Sequence, residues 1–261
     1  MPQQTHYTFG DTDLAAHRLR LLAEAFEPST AALLSSVPLD AGGAVDIGCG
    51  PGYSTELVAA RLAPEWVFGI DRSGRLIESA RRRAAPGLRF VEHDATTLPF
   101  PSPPAAVAYV RFLLTHLQDP EAALRAWLEI VTPGGRLVVE ETASLSCEHP
   151  ALSRYYALVE RLQAHYGQRL YIGRDLDAIC RRAGWAIEHS SIAALELRAG
   201  KMARLHALNL HTWGEDPFAK AHFVAQELEE LGRELDSIAS GEKRAPPAHC
   251  GMKQLVLRRS R

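Results

Sequence analysis

Cysteine is scarce in this 261-residue chain: four residues, at positions 49, 147, 180 and 250, with no C-x-x-C pair. That excludes a disulfide framework and a zinc site of the usual spacing, and predicts a reducing, cytoplasmic setting. An excess of one charge is also missing, since 29 Lys and Arg stand against 31 Asp and Glu. Nothing therefore suggests a footprint for nucleic acid or an anionic membrane. The run Arg81-Arg82-Arg83 reads as the wet face of a helix. No apolar run approaches the ~20 residues of a membrane span. The opening residues 1–6 are polar and lack the apolar core of a signal peptide. Internal repeats and long low-complexity segments are absent. What is left, 46% hydrophobic and 23% charged residues, fits one large globular α/β domain with insertions.

The informative stretch is Ala44-Val45-Asp46-Ile47-Gly48-Cys49-Gly50-Pro51-Gly52-Tyr53, followed by a helical pattern with Leu57, Val58 and Leu62 on one face. It reads as a buried strand, a glycine turn and a helix, which is the ligand-binding corner of a doubly wound sheet. Position 53 is Tyr, so the G-x-G-x-x-G dinucleotide fingerprint fails at its third glycine. Asp46 would repel a pyrophosphate and attract a ligand with a cationic amine or sulfonium. The alternative is a tight turn that binds nothing.

The remaining chain repeats the unit. Residues 66–71 form a second strand ending in Asp71, 25 residues after Asp46. An acid in that place can accept hydrogen bonds from a ribose diol, and Ser73 is the better cap for the helix that follows. A third strand, 88–92, ends at His93-Asp94-Ala95, where an acid could hold an adenine amino group. Strand four, 105–110, leads to Arg111 and His116, and Asp119-Pro120 starts a helix. Strand five spans 136–140. Helical patterns then fill 152–171 and 175–183, strand six spans 185–192, and 200–240 is a mostly helical insertion. Residues 242–251 read as a loop, and 252–258 as a last antiparallel strand paired with strand six. Ahead of all this, residues 1–10 read as an extended arm and 11–26 as a helix stopped by Pro28. Ser29-Thr30 would cap a second short helix to Leu34. The expected fold is a Rossmann-like, doubly wound, seven-stranded mixed sheet with helical lid insertions at 145–171 and 200–245. Residues 1–35 form a helical preface and 36–261 the main domain.

These residues resemble the ordered motifs of class I S-adenosylmethionine-dependent methyltransferases, of the small-molecule, UbiE-like type. The segments that carry the likeness are Val45-Asp46-Ile47-Gly48-Cys49-Gly50-Pro51-Gly52, Gly69-Ile70-Asp71, His93-Asp94-Ala95-Thr96-Thr97-Leu98-Pro99-Phe100 and Thr132-Pro133-Gly134-Gly135-Arg136-Leu137. The resemblance implies that Asp46, Gly48 and Gly50 line the methionine half of the cofactor and that Asp71 holds its ribose. Arg72, Asp94 and Ala95 would meet the adenine, and Arg111 would sit near the methionine part. It also implies in-line methyl transfer to O, N or C, with S-adenosylhomocysteine as product, and much of the rate would come from alignment. A base is needed only where the nucleophile must lose a proton. His116 is the candidate, against a plain packing role. Tyr7 and Phe9 could close over the cofactor as a flap.

The lid aromatics suggest an apolar or aromatic small molecule of the specialised-metabolite kind, although half or more of them would form the lid's own core. His206 and His211 are five apart, off the i, i+4 spacing for a shared metal, so no metal is expected. The N-terminal helices could pack on a second copy of the chain. Two alternatives stay open: the same cofactor used for another reaction such as cyclisation, and a non-catalytic cofactor-binding module.

Overall fold

The computed structural model describes residues 13–39 and 41–259, with side chains from residue 17 onward. Tyr7, Phe9 and the expected helix start at Asp11 lie outside the described residues. Four parallel strands come first: β1 (Ala44–Ile47), β2 (Val67–Asp71), β3 (Leu88–Glu92) and β4 (Ala105–Arg111). β5 (Val131–Ser146), β6 (Ala186–Leu197) and β7 (Ala248–Arg258) complete one seven-stranded sheet in the order β3-β2-β1-β4-β5-β7-β6. β7 runs antiparallel between β5 and β6. The strand order reverses between β1 and β4, and such a switch point leaves a crevice at the carboxyl ends of the strands.

Every residue of β1 is buried, because helices cover both faces of the sheet. Side chains alternate along the strands. Val107, Tyr109 and Val138 pack with Leu34 and Val58 under α1 (Asp13–Ser35) and α2 (Tyr53–Leu62). Val110, Leu137 and Val139 pack with Trp127 and Ile179 on the side of α4 (Pro120–Ala126) and α6 (Leu176–Arg182). The caps expected at Ser73 and Asp119 hold, whereas Ser29 and Thr30 lie inside α1 and cap nothing. Ser73 Oγ accepts from Leu76 N at 3.2 Å to start α3 (Gly74–Arg81), and Asp119 Oδ1 accepts from Ala122 N at 2.8 Å ahead of Pro120.

A third core lies above the sheet edge. It is built by α5 (Pro150–His165), α7 (Ala199–Trp213), α8 (Pro217–His222) and α9 (Ala225–Ser240), and it includes Tyr155, Tyr156 and Trp213. α5 falls within the stretch 145–171, and α7 to α9 occupy most of the connection between β6 and β7.

Three expectations need correction. Pro28 does not stop the first helix: α1 runs unbroken from Asp13 to Ser35. An internal proline is costly, but the segment after it is held by tertiary bonds. Thr30 Oγ1 donates to Glu140 at 2.7 Å, and Gln254 Nε2 donates to Ser29 Oγ at 3.0 Å. β5 extends well beyond 136–140 in both directions, and β6 beyond 192. The part expected as loop already enters β7 at Ala248. The extensions past 140, past 192 and back to Ala248 have one cause, the long antiparallel pairing of β7 with both neighbours, from Arg258 back to His249 against β5 and to Ala248 against β6, whereas the early start of β5 goes with the pairing of Val131 and Ala105 of β4. Finally, helix α5 ends at His165, residues 166–171 of the expected helix form turns and irregular chain, and a short 3-10 turn, Ile172–Arg174, follows them.

Two consecutive acids of β5 fix neighbouring elements. Glu140 is fully buried and accepts from Thr30 Oγ1, Tyr109 Oη and Gln254 Nε2, each at 2.7 Å. Glu141 Oε1 accepts from Leu114 N at 2.6 Å, which anchors the 3-10 turn Leu114–His116. Burial raises the Glu141 pKa to about 8, against the lowering by the backbone N–H groups of Leu113, Leu114 and Thr115.

Glu140→Ala leaves three buried donors without their acceptor. It should cost about 3 kcal/mol, a fall in Tm of roughly 6–12 °C by calorimetry, whereas Glu140→Gln, which keeps one acceptor oxygen, should cost less. Because the folded pKa of Glu141 lies above its unfolded value, its contribution is full below about pH 4.5 and is lost as pH rises through about 8. Denaturant titrations should show the wild type losing stability relative to Glu141→Gln across that window, by up to about 1.4 kcal/mol per pH unit.

Candidate active site

The crevice at the switch point opens into one chamber of about 940 Å³, with the sheet edge as floor and the lid helices as roof. Pockets for small ligands run to roughly 1,000 Å³, so this one stands at the large end.

The glycine turn forms one wall. Its fold is fixed from both sides. Gly48 N and Cys49 N donate to Ile70 O at 2.8 and 2.9 Å, and Gly52 N donates back to Cys49 O at 3.0 Å. Gly48 has φ +75° and Gly52 φ +90°, both in the region that favours glycine. A Cβ at Gly52 would lie 3.0 Å from the Phe90 ring, and one at Gly48 would lie 3.0 Å from Leu113. Gly50 faces the chamber: the nearest atom to a Cβ there is Leu19 Cδ1 at 3.6 Å. Its N–H donates to Asp71 Oδ2 at 2.9 Å, and Ser73 N donates to Asp71 Oδ1 at 2.9 Å. Asp71 is thus clamped at the end of β2, on the chamber wall.

Asp46 is placed differently from its neighbours. It is 1% exposed and is not among the lining residues. Its Oδ2 accepts from Ser54 Oγ and Thr55 Oγ1, both at 2.7 Å. Burial raises its pKa to about 6, opposed by those two hydroxyls and by Arg111. Asp46 lies behind the wall and ties β1 to the first turn of α2.

Gly48, Gly50, Asp71, Arg72, Asp94, Ala95, Arg111 and His116 all line the chamber. At the far wall Asp94 Oδ1 accepts from Thr96 N at 2.8 Å and Thr96 Oγ1 at 2.7 Å. Partial burial would raise the Asp94 pKa, but the Thr96 bonds and the charge of Arg72 outweigh it and lower it. Trp127 Nε1 donates to Ala95 O at 2.8 Å and pins this loop. Arg111 Nη1 donates to Thr30 Oγ1 at 2.9 Å. Burial lowers the His116 pKa to about 4, with the charges of Arg18 and Arg72 adding to it, while a 3.4 Å approach to Gln168 Oε1 opposes it. His116 is therefore neutral at physiological pH.

Several wall residues escaped the sequence reading. Arg18, Leu22 and Phe26 of α1, spaced i, i+4, i+8, line the chamber, so the segment read as a preface is part of the site. Phe26 meets Phe112 edge to face at 5.1 Å. From the lid come Tyr155, Val159 and Gln163 of α5 and Met202, His206 and Asn209 of α7. The signal was available: Gln163, His206 and Asn209 are polar residues at inward positions of otherwise apolar helix faces. Among the described residues no group of three or more His, Cys, Asp or Glu could hold a metal, and no helix is long and apolar enough to cross a membrane.

Comparison with known proteins agrees with this geometry. Residues 44–135 match the family described as Methyltransferase domain. A trans-aconitate 2-methyltransferase of Methylobacterium nodulans is 34% identical over 181 residues, covering 67% of this chain and 69% of that one. The solved structure of the [4+2]-cyclase SpnF superposes with a TM-score of 0.58 at 21% identity, over 91% of this chain and 82% of that one. Phosphoethanolamine N-methyltransferase 2 of Haemonchus contortus, solved with S-adenosyl-L-methionine, gives 0.58 at 16% identity, over 100% of this chain and 62% of that one. At such identities these two structures speak for the fold alone. The chain spans between 43% and 69% of the lengths of the curated relatives it matches first. With the glycine turn, the clamped Asp71, the Asp94 loop and a 34%-identical relative in agreement, the chain belongs to the class I S-adenosylmethionine-dependent methyltransferases.

Proposed function

We propose that this protein transfers a methyl group from S-adenosylmethionine to a small molecule held between the carboxyl edge of the sheet and the lid. The observation that carries the reading is the convergence of Gly50, Asp71, Asp94 and the lid side chains on a single chamber. The residues present fit the cofactor. Gly50 leaves the open face that a backbone-hugging ligand needs, Asp71 presents carboxylate lone pairs to a diol, and Asp94-Ala95 offers an acceptor and a backbone edge to a base. When bound, S-adenosylmethionine supplies an electrophilic methyl group on a sulfonium. Asp71 and the glycine turn fix the ribose and methionine ends, so alignment carries much of the rate. The lid excludes water from the acceptor side. His116, neutral on the wall, is the candidate to take a proton where the acceptor must lose one. The relatives named trans-aconitate 2-methyltransferase support a small-molecule acceptor.

Calorimetric titration with S-adenosylmethionine and S-adenosylhomocysteine tests the reading directly. Wild type should bind both. Asp71→Ala should weaken binding on the order of a hundredfold, the loss of two charge-assisted hydrogen bonds. A folded wild type that binds neither would leave only the fold standing. Consumption of an acceptor without formation of S-adenosylhomocysteine would instead favour a non-methylating use of the cofactor.

A further inference from the structure

The lid end of the chamber differs in chemistry from the cofactor end. Tyr155 and Gln163 of α5 and His206 and Asn209 of α7 line it, at 2%, 1%, 5% and 6% exposure. Four of their polar atoms have no hydrogen-bond partner among the described residues: Tyr155 Oη, Gln163 Oε1, His206 Nδ1 and Asn209 Oδ1. Trp213 and Asn209 approach the Tyr155 hydroxyl closely enough to favour its ionised form, without closing a hydrogen bond. A buried polar atom left unsatisfied costs about 1–3 kcal/mol, and native proteins contain few of them. Four gathered on one wall of a ligand chamber mark a surface that a ligand completes.

The His206 ring is held in place while one nitrogen stays vacant. It stacks on Tyr155 at 4.1 Å and 22° and meets Tyr156 edge-on at 5.2 Å. Its Nε2 lies 3.4 Å from Tyr156 Oη, which leaves Nδ1 for another group. Burial lowers the His206 pKa to about 3, so the ring is neutral at working pH.

The vacant atoms discriminate between ligand classes. Gln163 Oε1 and Asn209 Oδ1 are acceptors, and only a donor satisfies them. An ionised carboxylate brings none: Arg18, 4% exposed on the chamber wall, would attract it, but the two carbonyl oxygens would stay unpaired and would repel it. An ammonium would need a carboxylate, and the chamber's carboxylates, Asp71 and Asp94, belong to the cofactor end. Arg18 is the cation whose charge is felt at Tyr155, and it disfavours a cationic acceptor. A hydroxyl group both donates and accepts, so it serves the carbonyl oxygens and either tautomer of His206. Resting on the methyltransferase reading, we propose that the acceptor is an uncharged, largely apolar molecule bearing hydroxyl groups, and that Gln163 and His206 select it. This sets the chain apart from relatives whose names specify a tricarboxylate.

The test uses the full chain saturated with S-adenosylhomocysteine, so that no turnover is required. The saturation step itself checks the cofactor site, and its failure counts against the methyltransferase reading alone. Probes of matched shape are then titrated: a dihydroxynaphthalene, the corresponding naphthalenedicarboxylate, naphthalene and trans-aconitate. The dihydroxynaphthalene should bind most tightly. Gln163→Leu and His206→Phe preserve size and stacking. Each should reduce the preference for the diol over naphthalene about tenfold, with S-adenosylhomocysteine affinity unchanged. A purely structural role would not move that ratio. Tighter binding of either carboxylate, no binding of the diol, or an undiminished preference in variants that still bind S-adenosylhomocysteine would overturn the proposal.

Discussion

Three acids are buried where the central strands end, and the rest of the site follows from satisfying them. Asp46 on β1 and Glu140 and Glu141 on β5 are each at most 1% exposed. A buried carboxyl without partners is prohibitively costly, so each recruits donors from a different element. Asp46 takes Ser54 and Thr55 and thereby sets the start of α2. Glu140 takes Thr30, Tyr109 and Gln254 and joins α1, β4 and β7. Glu141 takes the backbone of Leu114 and places the turn that carries His116. The chamber walls are held by the same bonds that solve the burial problem. That is why Asp46 lies one layer behind the chamber wall.

The chamber consequently has two regimes. At the glycine-turn end, Asp71, Asp94, Arg72 and Arg111 stand at strand ends and loops, where charge is tolerated and hydrogen-bonded. At the other end, the walls are helices that pack mainly through apolar faces; the polar groups that intrude from α5 and α7 are neutral, and Arg18 of α1 is the cation near them. A charged group there would meet the desolvation that lowers the His206 pKa to about 3 and raises that of Tyr155.

Local chemistry was legible in the sequence and distant pairing was not. The glycine turn, the acid after β2 and the caps at Ser73 and Asp119 depend on residues a few positions apart, and each could be read directly. The path of α1 through Pro28 depends on Glu140 and Gln254, more than a hundred residues away. The extra length of β5 and β6 depends on β7, at the far end of the chain. The inward face of α1 had the right period, but nothing local distinguishes a helix face that lines a chamber from one that covers a core. For the same reason Gln163 and Asn209 went unremarked: their meaning comes from lacking a partner in three dimensions.

This division bears on what the family likeness can say. The matched domain region, residues 44–135, contains the glycine turn, Asp71, Asp94 and Arg111, and stops before α5. Likeness there reports the cofactor end. The lid arises from two other stretches, the segment after β5 and the long connection between β6 and β7. Because the antiparallel β6–β7 ribbon closes below that connection, its helices can change without disturbing the strands that hold Asp71 and the glycine turn. Gln163 and His206, to which we assign acceptor choice, lie outside the matched region, so that assignment rests on their own geometry.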